Sequence, residues 1–149
     1  MGDATQNSVR LVVTGHDEEG RATAVADGPV AGTVLPTGTV LHQLWGRDEA
    51  PALPDDRPSA SDSPFPPPGG FRFGVLTVPP GYESSVHATS TVDCGVVVAG
   101  ELSLALEDGI ERPLRVGDAF VQNGTTHAWR NRGDDPAVVV LFIAGAHHG

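Results

Sequence analysis

GYESSVHATSTVDCGVVVAG, residues 81–100, is the stretch that decides the fold. Side chains of a strand alternate between two faces. His87, Thr89, Thr91 and Asp93 therefore form one polar row, and Val86, Ala88, Ser90 and Val92 the other. An imidazole, two hydroxyls and a carboxylate in a row are unremarkable on a solvent face. On the inner face of a barrel they mark a site. A second stretch, GDAFVQNGTTHAWRN at 117–131, places His127, Trp129 and Asn131 on one parity. An imidazole, an indole and an amide can thus face the same cavity. Gln122 has the opposite parity to His127 across a turn and is assigned no role.

Working outward, the chain reads as short strands separated by turns. Residues 9–16 and 21–26 form a hairpin around the DEEG turn at 17–20, and 38–45 is a further strand. Residues 46–70 hold more than half of the 13 prolines and few β-branched residues, so no central strand or long helix forms there. This segment reads as a long surface loop, either a lid over the site or an unstructured insertion. From Phe71 strands are dense: 71–78, 86–93, 96–109 with a bend, 111–118, 119–131 and 137–144. The last, AVVVLFIA, is apolar throughout, as suits burial on both faces or a dimer contact. The organisation is one domain over 1–149, with N-terminal strands at 1–45, the proline-rich loop at 46–70 and a core at 71–145.

Composition supports an all-β class, because Gly (19) and Pro (13) are abundant and valine dominates the apolar runs. The net charge of −10, without a basic run, opposes contact with a phosphate backbone and points to a small-molecule partner, not nucleic acid. All nine basic residues are arginine, which excludes a lysine Schiff base and hence pyridoxal phosphate chemistry, as well as a phosphate-loop lysine for nucleotides. The single Cys94 has no disulfide partner; it reads as a buried structural thiol, in keeping with a reducing compartment. No signal peptide or membrane span is apparent, so a cytoplasmic location without membrane attachment is expected. His42 reads as a surface histidine, and His147 and His148 as a loose tail.

The two quoted stretches resemble the paired motifs of the cupin superfamily. The first family motif runs Gly, five residues, His-x-His, three or four residues, Glu, six residues, Gly. Here it is Gly81, five residues, His87, Ala88, Thr89, three residues, Asp93, six residues, Gly100. The second runs Gly, five residues, Pro-x-Gly, two residues, His, three residues, Asn. Here it is Gly117, five residues, Asn123, Gly124, two residues, His127, three residues, Asn131. The resemblance implies a double-stranded β-helix, the cupin jelly-roll barrel, with an N-terminal hairpin of the kind small cupins exchange in homodimers. It also implies a small-molecule enzyme, often of bacterial secondary metabolism, with its site in the barrel mouth. Thr89, Thr91, Trp129 and Asn131 become candidate substrate contacts, and His87, Asp93 and His127 candidate catalytic residues.

Cupins commonly hold a metal through three His and one Glu. Here Thr89 replaces the second histidine and Asp93 the glutamate, which leaves His87, Asp93 and His127 for a divalent ion (Fe, Mn, Zn or Ni). Three readings stay open. The triad holds a metal, or it works unaided as general acid and base, in either case in an enzyme of lyase, isomerase, cyclase, decarboxylase or oxygenase type; or the barrel is a non-catalytic sensor or carrier.

Overall fold

The computed structural model describes residues 8–60 and 62–148. Every regular element among the described residues is a strand: β1 (Ser8–His16), β2 (Ala22–Ala31), β3 (Thr33–Val34), β4 (Val40–Arg47), β5 (Phe71–Val78), β6 (Thr91–Ala99), β7 (Leu102–Leu106), β8 (Glu111–Leu114), β9 (Ala119–Asn123), β10 (His127–Arg130) and β11 (Ala137–Gly145). A six-stranded sheet, ordered β3-β4-β5-β11-β6-β9, faces a three-stranded sheet, β10-β7-β8, as a jelly-roll barrel, while β1 and β2 form a separate hairpin. Val78, Val97, Leu102, Ala137 and Val139 fill the space between the sheets, each no more than 2% exposed.

The glycines that frame the two motifs are turn devices. Gly81, Gly100, Gly117 and Gly124 all have positive φ, between 65° and 90°. That region costs a residue with a Cβ about 1–2 kcal/mol. At Gly100 a Cβ would also lie 2.4 Å from the Pro136 carbonyl. The motif spacing is therefore the spacing of the corners between strands.

Several expectations are revised. The run at 86–93 becomes a regular strand only from Thr91. Residues 81–89 instead follow β10 irregularly, with Gly81 N–H donating to Asn131 O at 3.0 Å and Ser84 N–H to Trp129 O at 2.9 Å. The Ser84 hydroxyl accepts the Trp129 N–H at 2.9 Å, so a side chain replaces a carbonyl in the ladder. The apolar run on β11 is not buried on both faces: Ala137 and Val139 point into the core, whereas Phe142 is 44% exposed on the outer face. A bulge between Gln43 and Trp45 breaks the simple alternation of β4, and His42 is buried, not a surface residue. Cys94 is half-buried and pairs on β6 with Phe142 and Val121, two exposed residues of the outer face. His148 is tied to the Ser90 hydroxyl, so the tail is held against the start of β6.

The proline-rich segment is anchored by two buried arginines. Arg47 donates to Asp55 at 2.7 Å and to the carbonyls of Arg57 and Pro58. Arg72 donates to Ser63 O at 2.7 Å and to Asp48. Ser63 O also accepts from Gln43 Nε2 at 3.1 Å. The segment thus wraps the β4–β5 end of the sheet, and none of its described residues lines the cavities beside Asp93 or His127.

Candidate active site

His87 and His127 face one another across a two-hydrogen-bond bridge: His87 N–H donates to His127 O at 3.0 Å, and His127 N–H to His87 O at 2.9 Å. Directly opposed residues of an antiparallel pair share a face, and the ring centroids lie 4.4 Å apart. Each ring is fixed by the same local device. The Nδ1 of His87 is 2.7 Å from Ser85 O, and that of His127 is 2.8 Å from Thr125 O. A carbonyl can only accept, so Nδ1 carries the proton on both rings. Both Nε2 atoms are left with a free lone pair in the neutral form.

His127 is 3% exposed. Burial pushes its pKa below the ordinary 6.5, and the neighbouring His87 adds to this. The Thr125 carbonyl and Asp93 act the other way, but burial prevails. His127 therefore stands as a neutral imidazole, a proton acceptor, near neutral pH.

Asp93 lies at the end of a hydroxyl chain. The Thr91 hydroxyl donates to Asp93 Oδ1 at 2.7 Å, and Thr89 Oγ1 is 2.7 Å from Thr91 Oγ1. Since the Thr91 proton is committed to the carboxylate, Thr91 must accept from Thr89. The direction runs Thr89 to Thr91 to Asp93. Thr91 is 3% exposed and both of its hydroxyl functions are engaged, so it holds Asp93 in place and is not a substrate contact.

The remaining predicted residues divide in the same way. Trp129 packs against Phe120 at 4.8 Å and edge-on to His127 at 5.7 Å. With Asp93, Phe120, Tyr82 and Leu141 it walls an inner cavity of about 80 Å³. Asn131, 2% exposed, is corrected from substrate contact to turn lock: Nδ2 donates to the carbonyls of Val78 (3.1 Å) and Asp135 (2.9 Å), and Oδ1 accepts the Gly133 N–H at 3.0 Å. All its polar atoms thus serve main-chain groups. Sequence reading missed Gln122. It lies directly opposite Asp93 in the β6–β9 register and shares the inward face of β9 with Phe120, which lines the inner cavity.

The donor set does not fit a metal in this arrangement. Among the described residues no three His, Cys, Asp or Glu side chains are grouped so as to hold an ion. Asp93 is oriented by Thr91, which donates to its Oδ1, and the position of the second family histidine carries Thr89, which offers no imidazole.

A cupin domain model matches residues 74–143. Phomopsin biosynthesis cluster protein C' of Diaporthe leptostromiformis is 36% identical over 148 residues, covering 88% of this chain and 75% of that protein. Cupin-domain-containing oxidoreductase srdB of Neurospora crassa is 28% identical over 141 residues, covering 87% of this chain and 69% of that protein. Among solved structures, the Cnp3 cupin domain of Schizosaccharomyces pombe aligns with a TM-score of 0.58 at 12% identity, covering 91% of this chain and 87% of that one. A cupin 2 conserved barrel protein of Salinispora arenicola aligns at 0.52 with 20% identity, covering 75% and 80%. These two structures speak for the fold alone. The sequence relatives are fungal, which overturns the expected bacterial setting, and those of Diaporthe leptostromiformis and Aspergillus oryzae are named for biosynthesis clusters. With its paired glycine-framed motifs, its jelly-roll barrel and these relatives, the chain belongs to the cupin superfamily.

Proposed function

We propose that the protein is an enzyme that moves a proton on a small-molecule intermediate of secondary metabolism, in the barrel beside His87, Asp93 and His127. The observation that carries this reading is the pair of imidazoles whose Nδ1–H groups are both tied to carbonyls, with the more buried ring held neutral. A general base works best when it is unprotonated at the operating pH and within reach of the proton it takes. His127 supplies Nε2 for that step. Its neighbour His87 can return the proton, and Asp93 favours the imidazolium that forms in between. Trp129 and Phe120 supply apolar wall, which excludes water. The reaction class is isomerisation, elimination, cyclisation or decarboxylation, each of which needs a proton taken and a proton returned.

The names of several relatives include the word oxidoreductase. They support a second reading, oxidation of the substrate at the same site, with dioxygen as the acceptor of its electrons. In that case the product differs from the substrate in hydrogen or oxygen content. In proton transfer alone, a product formed by isomerisation or cyclisation keeps the substrate's mass, and one formed by elimination or decarboxylation loses only water or carbon dioxide. As for assembly, the hairpin touches the barrel mainly along β4. Between it and the sheet lies a hollow of about 470 Å³ walled by Trp45, Phe71, Phe73 and Phe142. That aromatic wall, half-buried at Trp45, Phe71 and Phe73 and exposed at Phe142, supports a homodimer.

The test is to delete the gene in its host, identify the intermediate that accumulates, and give it to the purified protein. Conversion by wild type and none by His127→Gln supports the enzyme. An intermediate that binds and is recovered unchanged makes the protein a carrier or sensor. Conversion that stops after chelation and returns with one added divalent metal would restore the metal-assisted reading.

A further inference from the structure

Gln122 is 2% exposed, on the inward face of β9 opposite Asp93. Its Oε1 accepts the Thr125 N–H at 3.0 Å and the Thr125 hydroxyl. Because a main-chain N–H can only donate, the amide cannot be flipped, and the NH2 group must point away from the turn. That Nε2 is buried without a hydrogen-bond partner. Leaving a buried donor unmade costs about 1–3 kcal/mol, and a purely structural role would be served equally by a side chain that only accepts. The strand pairing sets Gln122 opposite Asp93, and Phe120, two residues before it on the same face, lines the inner cavity with Trp129 and Asp93.

We infer that Gln122 is a substrate-binding residue whose side-chain N–H donates to a neutral carbonyl oxygen of the ligand, which defines the substrate class as enolisable ketones or aldehydes. A neutral acceptor suits the place better than a carboxylate, because Asp93 stands across the strand pair and the whole chain carries −10. The inference rests on the proton-transfer reading and completes it. As the C–H beside the carbonyl gives its proton to His127 Nε2, the electron pair of that bond moves to the carbonyl oxygen. The resulting enolate oxygen is held by the Gln122 N–H. Where the carbonyl is β,γ-unsaturated, the dienolate takes the proton back at its γ-carbon, and the double bond moves into conjugation to close an isomerisation.

Cyclopentanone is the probe, with cyclopentane as a control of similar shape that lacks the oxygen. In 15N-labelled wild type, cyclopentanone is expected to shift the Gln122 side-chain amide pair, and cyclopentane is not. Gln122→Glu keeps the acceptor for Thr125 but loses the donor, and Gln122→Met keeps the volume. Each is expected to weaken cyclopentanone binding about tenfold while cyclopentane binding stays unchanged, with folding checked by the backbone amide signals of the core residues Val78, Val97 and Val139. An unmoved wild-type amide pair, or wild-type affinity in a folded Gln122→Glu, overturns the inference. Deuterium exchange at the ring carbons next to the carbonyl keeps the two claims apart. Binding at Gln122 without exchange sinks the proton-transfer reading and leaves the donor role standing. Exchange that His127→Gln abolishes and Gln122→Glu leaves untouched does the reverse.

Discussion

Two main-chain carbonyls, those of Ser85 and Thr125, decide which nitrogen of each imidazole is free. Chemistry at this site thus depends on backbone shape two residues before each histidine as much as on the histidines. Asp93 shows the same dependence, since its position is set by Thr91 and Thr89. Asp93→Asn keeps the shape and removes the charge that favours the imidazolium. Turnover of the accumulated intermediate should fall by about 10²–10⁴, the usual span for a proton-transfer partner, while ligand affinity changes little in calorimetry. Asn131 makes the opposite forecast. Asn131→Ala strands buried main-chain groups and should cost about 1–3 kcal/mol in denaturant unfolding, with the substrate KM unchanged. The motif's alternation made His87, Asp93 and His127 legible in the sequence. It could not tell Asn131 from a ligand contact, because an amide that bonds a turn and one that bonds a substrate read alike. Gln122 was hidden for a related reason. Only the β6–β9 register, a long-range pairing, shows that it stands across from Asp93.

At the scale of elements, strand order follows from corner glycines and apolar periodicity, and most strands are readable from those alone. What was not readable is where a strand gives way to an irregular run. Residues 81–89 alternate like a strand, yet the Ser84 hydroxyl takes a ladder position and the segment pairs only in places with β10. The proline-rich segment was equally opaque, since its order comes from Arg47 and Arg72, buried at the ends of the two strands that flank it. Close packing makes that order testable. A Cβ on Gly145 would lie 1.9 Å from the Pro67 carbonyl. Gly145→Ala should therefore force the segment off the end of β11 and cost about 1–3 kcal/mol, as over-packing does. Faster proteolysis within 46–70 should accompany the loss. Unchanged stability and cleavage would mean that the segment is not held there.

On the scale of the whole molecule, one barrel carries two unlike surfaces. The inner one is narrow, with Asp93 set among Tyr82, Phe120 and Trp129; the outer one is broad and aromatic, flanked by a hairpin with little barrel contact. If the outer face is the dimer contact, light scattering will give about twice 15.4 kDa, and Phe142→Asp will give the monomer. A monomeric wild type would reassign that face. Acidity acts on the whole fold through His127. Above its ordinary pKa of 6.5 folded and unfolded chains both carry it neutral. As pH falls below that value the unfolded chain takes the proton first, so His127 makes the folded state progressively less stable. The loss levels off once pH passes below the folded pKa. The central claim, that His127 offers an unprotonated Nε2 from a desolvated ring, is tested most directly by long-range 1H–15N NMR of the histidine side chains across a pH series. The account predicts the Nδ1–H tautomer for His87 and His127 at neutral pH, with His127 protonating below 6.5. An Nε2–H tautomer at His127, or protonation above that value, would contradict it.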